Sequence, residues 1–98
     1  MSKPDLGTFG VFGHYSQWQQ LSREQLRDIE GLGYGAIWAG GSPPAELEWI
    51  EPILGATDSL QLATGIVNIW TAAAAPVAES FHRIEKEYPG RFLLGIGV

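Results

Sequence analysis

The chain has 98 residues, 45% of them hydrophobic, a net charge of −5 and an isoelectric point near 4.8. That is the length of one small domain, residues 1–98 with no second one, and the apolar share suffices for a core and excludes disorder. An acidic chain with six Lys and Arg and no basic cluster excludes nucleic acid and anionic membranes as partners, and the lack of cysteine excludes disulfides and thiolate metal sites.

The start, Met1 to Asp5, lacks the apolar core of a signal peptide. The longest apolar run, residues 69–78, is broken by Thr71 and Pro76 and falls short of the roughly 20 residues of a spanning helix. A soluble, cytoplasmic protein is expected.

Residues 7–13 (GTFGVFG) read as a first strand with Phe9, Val11 and Phe12 apolar, and residues 14–20 as a polar-aromatic loop. Ser22 with Gln25 forms a capping box that opens a helix, whose inward stripe is Leu26, Ile29 and Leu32. Gly33 suits the left-handed position that ends it. A second strand covers residues 34–39, and a loop follows over 40–44. The second helix starts near Ala45 with Leu47, Ile50 and Leu54 on one face. Pro52 lacks an amide hydrogen and clashes with the preceding turn, so a kink or a fresh short helix is expected there. Residues 60–67 (LQLATGIV) form the third strand. Pro76 suits the first position of the third helix, whose buried face is Val77, Phe81, Ile84 and Tyr88. Glu79, Arg83 and Glu87 are spaced for ion pairs along its solvated side. Pro89-Gly90 stops this helix. Residues 91–98 (RFLLGIGV) are the most strand-like stretch and read as buried on both faces, as in a parallel sheet.

The order is βαβαβαβ, an α/β parallel sheet with right-handed crossovers. It fits either an open doubly wound sheet or the first four strands and three helices of a (β/α)8 TIM barrel. A whole barrel takes about 250 residues.

Three segments bear on that choice: Leu62-Ala63-Thr64-Gly65-Ile66-Val67-Asn68, Pro76-Val77-Ala78-Glu79, and Tyr88-Pro89-Gly90-Arg91-Phe92-Leu93-Leu94-Gly95-Ile96-Gly97. In this order and spacing the chain resembles the N-terminal portion of luciferase-like monooxygenases, closest to their deazaflavin-dependent oxidoreductases. The resemblance implies a TIM barrel, present here as a partial or half barrel. It also implies FMN or a deazaflavin of the coenzyme F-420 type at the C-terminal strand ends, and hydride transfer to or from a small organic substrate. It further implies a cis peptide at Gly65–Ile66 against the ring. The ring contacts would come from Gly65, Ile66, Val67, Asn68 and Trp70, with Asn68 offering an amide to a polar edge. His14, just past the first strand, is then the general-acid candidate on the substrate side; the alternative is a solvated loop histidine.

The chain departs from the pattern in two places. Gly40-Gly41-Ser42 stands where many deazaflavin members carry an acid–histidine pair, and Ala72 to Ala75 replace a polar helix cap. The family's phosphate-binding second half has no counterpart here. The expectation is a fragment, inactive or nearly so alone, with binding of any cofactor by this chain left open. The alternative is a half barrel that assembles with copies of itself through the exposed fourth strand and sheet edges, as a binding or structural module without turnover.

Other residues carry less. His82 lies off the buried helical stripe, and neither histidine has partners at metal-ligand spacing, so no metal is expected. Trp18 and Trp70 could wall a flavin or simply pack loops. Trp38 reads as core, and Trp49 lies off its helix's buried face. Gly95-Ile96-Gly97 reads as close backbone packing with room for a ring above, rather than the start of a dinucleotide fingerprint. Glu46, Glu48, Glu51, Glu85 and Glu87 read as solvated helix faces.

Overall fold

A computed structural model describes residues 4–98. The strands are β1 (Gly10–His14), β2 (Ala36–Gly40), β3 (Gln61–Thr64), β4 (Val67–Asn68), β5 (Phe92–Leu93) and β6 (Ile96–Gly97). The helices are α1 (Tyr15–Gln19), α2 (Arg23–Gly31), α3 (Ile50–Ala56) and α4 (Ala74–Glu87). One sheet runs β1-β2-β3-β5, all parallel, and β4 pairs with β6, also parallel. This is an α/β parallel sheet with helical crossovers, the arrangement of consecutive units of a (β/α)8 barrel.

Residues paired across parallel strands share a face, and each strand alternates between faces. Val11, Ile37, Leu62 and Phe92 form one row, packed in the core beneath the helices. Phe12, Trp38, Ala63 and Leu93 form the next row, on the opposite face. No helix covers that face among the described residues, and Phe12 is 67% exposed. Trp38, expected in the core, is half-buried there and absent from the core cluster.

The Ser22 capping box forms as its spacing predicts: the Gln25 amide donates to Ser22 Oγ at 3.1 Å and the Ser22 amide to Gln25 Oε1 at 2.9 Å. Gly33 takes its left-handed conformation at φ +96°. On α4, Val77 and Ile84 are buried and Phe81 is packed against the core, as is the C-cap Tyr88.

Several expectations fail for local reasons. Residues 15–19 are helical, not loop, because His14 and Gln17 form a second capping box. Leu32 follows α2 and is 77% exposed, so it is no part of the stripe. No helix starts at Ala45, because Leu47 adopts a left-handed φ of 47°. The helix begins instead at Ile50, with Pro52 in its first turn, where a missing amide hydrogen costs no helical bond. Leu47, Ile50 and Leu54 are nonetheless all buried. Pro76 is the third residue of α4, not the first. The third and fourth strands both break, at residues 65–66 and 94–95. The fourth is not buried on both faces: Ile96 is 61% and Val98 81% exposed.

The N-terminal strand ends, here the lower end, are tied by side chains. Glu30 accepts from the amides of Asp58, Ser59 and Leu60 at 3.0, 2.7 and 2.9 Å, and from the Ser59 hydroxyl. Burial alone would raise this carboxyl, but those hydrogen bonds outweigh it and hold it below its ordinary value. Arg91 donates to the carbonyl of Leu60 at 2.9 Å, that of Leu54 at 3.2 Å and the Thr57 hydroxyl at 2.9 Å. Arg23 and Arg27 cap the last carbonyls of α3. Two carboxylates expected to be solvated are engaged. Glu51 takes a bidentate grip from Arg83, at 2.6 and 3.0 Å, so the ion pair of Arg83 runs across to α3 rather than to Glu79 or Glu87 on its own helix. Glu85 accepts from the Gly90 amide at 3.1 Å.

Candidate functional site

The C-terminal strand ends, the upper end, are where barrel enzymes place their chemistry. Here β1 delivers Phe12 and His14, β2 delivers Trp38 and ends at Gly40 with Gly41 just beyond, and β3 runs into Gly65–Ile66. Phe12 and Trp38 converge on Gly65: a β-carbon built there would stand 3.7 Å from Phe12 Cε2 and 3.6 Å from Trp38 Cε3. The Phe12 ring also lies across Gly40, where a β-carbon would overlap it. The two glycines at the end of β2 thus form a floor for side chains sent from β1.

His14 is the N-cap of α1. Its Nδ1 receives the Ser16 amide at 3.2 Å and lies 2.8 Å from Ser16 Oγ. An amide can only donate, so Nδ1 is the acceptor and the neutral ring carries its proton on Nε2. The ring stacks on Tyr15 with centroids 4.7 Å apart, and its Nε2 edge lies over Gly41, where a β-carbon would collide with it.

The peptide Gly65–Ile66 is cis. The Ile66 side chain lies over Gly97, where a β-carbon would meet Ile66 Cδ1 at 2.8 Å, and a β-carbon on Gly95 would overlap the Thr64 carbonyl oxygen. The close backbone packing expected at Gly95 and Gly97 is present, but Ile66, not open space, lies above Gly97. Asn68 Oδ1 accepts from the Trp70 amide at 2.8 Å, and its carbonyl accepts from Ala72 at 3.0 Å. The Asn68 side-chain NH2 forms no hydrogen bond among the described residues.

The expected site residues do not all gather. His14, Gly65, Ile66 and Asn68 belong to this open end. Val67 does not present its side chain there: it is 1% exposed and part of the helix-side core, so only its backbone borders the site. Trp70 is 80% exposed in the loop beyond β4. Trp18 is no site wall but a core residue, 8% exposed, its indole donating to the Trp38 carbonyl at 3.1 Å. Trp49 is packed against the core from α3's N-cap position. Phe12 and Trp38 were missed as a pair. Their signal was the strand register, which places them side by side away from the helices.

Among the described residues no group of three His, Asp or Glu could hold a metal ion, and no helix is long and apolar enough to cross a membrane. No curated protein and no solved structure gives a match. The family model of the luciferase-like monooxygenases matches residues 6–98. A match over that much of the sequence, on a parallel sheet with helical crossovers, settles the family: the chain belongs to the luciferase-like monooxygenases.

Proposed function

We propose that this chain forms the ring-facing wall of a flavin or deazaflavin site in an oxidoreductase acting on a small organic substrate. The observation that carries the reading is the uncovered aromatic row at the upper end, Phe12 beside Trp38, converging on Gly65. Its chemistry suits a planar ring system, because the strand ends that carry Phe12, Trp38 and Ile66 also carry two polar groups, the Asn68 amide and the His14 imidazole. When bound, FMN or a deazaflavin would supply hydride transfer.

The chain's own residues do the rest. Phe12, Trp38 and Ile66 keep water from one side of the site. Asn68 offers its free NH2 to a carbonyl-like edge. His14 holds a proton on Nε2, outward from its Ser16 anchor, ready for the substrate side. The membership supports an oxidoreductase as the coarse activity. FMN against deazaflavin, and the substrate, are distinguished by experiment. Titrating the full chain with each cofactor, followed by tryptophan fluorescence and visible absorbance, tests the reading. Saturable quenching with one of them supports it, and no saturable binding of either sinks it.

A second reading is favoured by a different observation, the exposure of Ile69, Ile96 and Val98 at the β4–β6 side together with Phe9 and Phe12 at β1. Apolar surface at the β4–β6 sheet and at the β1 edge of the main sheet suits association with further copies of the chain, as a binding or structural module without turnover. Native mass spectrometry separates the two: a monomer at micromolar concentration overturns self-assembly and leaves the cofactor reading untouched.

A further inference from the structure

Two neighbouring strands break at the same level. β3 and β5 pair at Leu62–Phe92 and Ala63–Leu93; both then leave the ladder, and they resume as β4 and β6 at Val67–Ile96. Across the gap the Thr64 hydroxyl takes the place of a main-chain partner. It accepts from the Gly95 amide at 2.9 Å and donates to the Gly95 carbonyl at 3.0 Å. The same carbonyl receives the Val67 amide at 2.8 Å, using its second lone pair. On the other side the Gly65 amide donates to the Ala39 carbonyl at 2.9 Å. Thr64 is 1% exposed, so water is a poor substitute for either bond.

We propose that Thr64 is a positioning residue. Its hydroxyl splices the two broken strands and so fixes where residues 65–68 stand relative to β6 and to Trp38. The proposal rests on the flavin reading, since it is the ring-facing segment that is being placed. Gly95 is the matching half of the device: a β-carbon there would overlap the Thr64 carbonyl and push the strands apart. Valine at 64 keeps the shape of threonine but leaves the Gly95 amide without its acceptor. Serine keeps the hydroxyl.

The experiment compares wild type, Thr64→Val and Thr64→Ser in the full chain. Amide exchange at Gly95 and Val67 is read by NMR, and FMN is titrated while the visible circular dichroism of the bound ring is recorded. In Thr64→Val, exchange at Gly95 should quicken at least about tenfold, FMN affinity should fall about tenfold and the ring's dichroism should change. Thr64→Ser should restore all three to within about threefold. A loss of melting temperature alone, with unchanged dichroism and affinity, would make Thr64 merely structural and overturn the proposal. So would unchanged exchange at Gly95. If Gly95 responds as expected but wild type takes up neither FMN nor a deazaflavin, the splice stands and the flavin reading fails, and the positioning role fails with it. Should Thr64→Val not fold, Thr64→Cys makes the same comparison, because a thiol is a poor hydrogen-bonding group.

Discussion

The two ends of the sheet are built on opposite principles. At the lower end, buried or half-buried charges are saturated with partners: Glu30 holds three successive amides, and Arg91 joins the end of α3 to the start of β3. At the upper end, glycines meet exposed rings, and polar groups such as the Asn68 NH2 and His14 Nε2 form no hydrogen bond with the described residues. Saturated polar groups stabilise a fold and have little capacity left for a ligand, whereas open ones contribute little to stability and can bind. The division follows the separation of barrel proteins into a stability face and an activity face.

The largest test of that contrast is Arg91→Met. It removes bonds to the Leu60 and Leu54 carbonyls and the Thr57 hydroxyl, and should lower stability to urea by about 3 kcal/mol while any cofactor affinity measured on the folded fraction stays put. A loss under about 1 kcal/mol breaks the comparison. Glu30→Gln comes next, at about 2 kcal/mol. Because the Glu30 carboxyl is held low, its contribution is full above the ordinary carboxylate range and fades as pH falls through its lowered value. Wild-type stability should therefore decline below about pH 4.5, and Glu30→Gln should flatten that decline. Equal acid sensitivity in both proteins refutes the assignment. Arg83→Ala, which breaks a partly exposed bridge to Glu51, should cost about 0.5–1 kcal/mol, checked by melting temperature. Smallest of all in stability is Phe12→Ser, within about 0.5 kcal/mol of wild type because the ring is 67% exposed, yet it should weaken flavin binding measurably. A large stability loss would place Phe12 in the core instead.

Much of the lower layer was legible in the sequence. Periodicity gave the buried face of α4, and the Ser22–Gln25 spacing gave the start of α2, because both are local rules acting within one element. What escaped involved partners far apart in the chain or residues in unusual roles. Histidine is not an ordinary helix cap, so α1 read as loop. Leu47 sits in a conformation usually left to glycine, so a helix seemed to start too early. Glu51 read as a solvated surface residue, and Thr64 and Arg91 as strand residues, until the fold brought Glu51 to the Arg83 guanidinium and the other two to backbone groups some thirty positions away; Glu30, which holds three amides at a similar distance, carried no signal of its own. At the upper end the resemblance supplied Gly65, Ile66 and Asn68, and strand position supplied His14. The inward direction of Val67 followed from the strand break, which no alternation rule reports.

The side-chain bonds that Arg23, Arg27, Glu30, Thr64, Arg83 and Arg91 make between elements span 28 to 37 positions. Each closes a loop one βα unit long. Closure entropy rises only with the logarithm of loop length, so across that range the costs differ by about 0.2 kcal/mol. No bond in this set has a marked entropic advantage in forming first. Each unit is fastened to its neighbour on nearly equal terms, and damage at one fastening should reach the adjacent unit before any other, as in a stack of repeats.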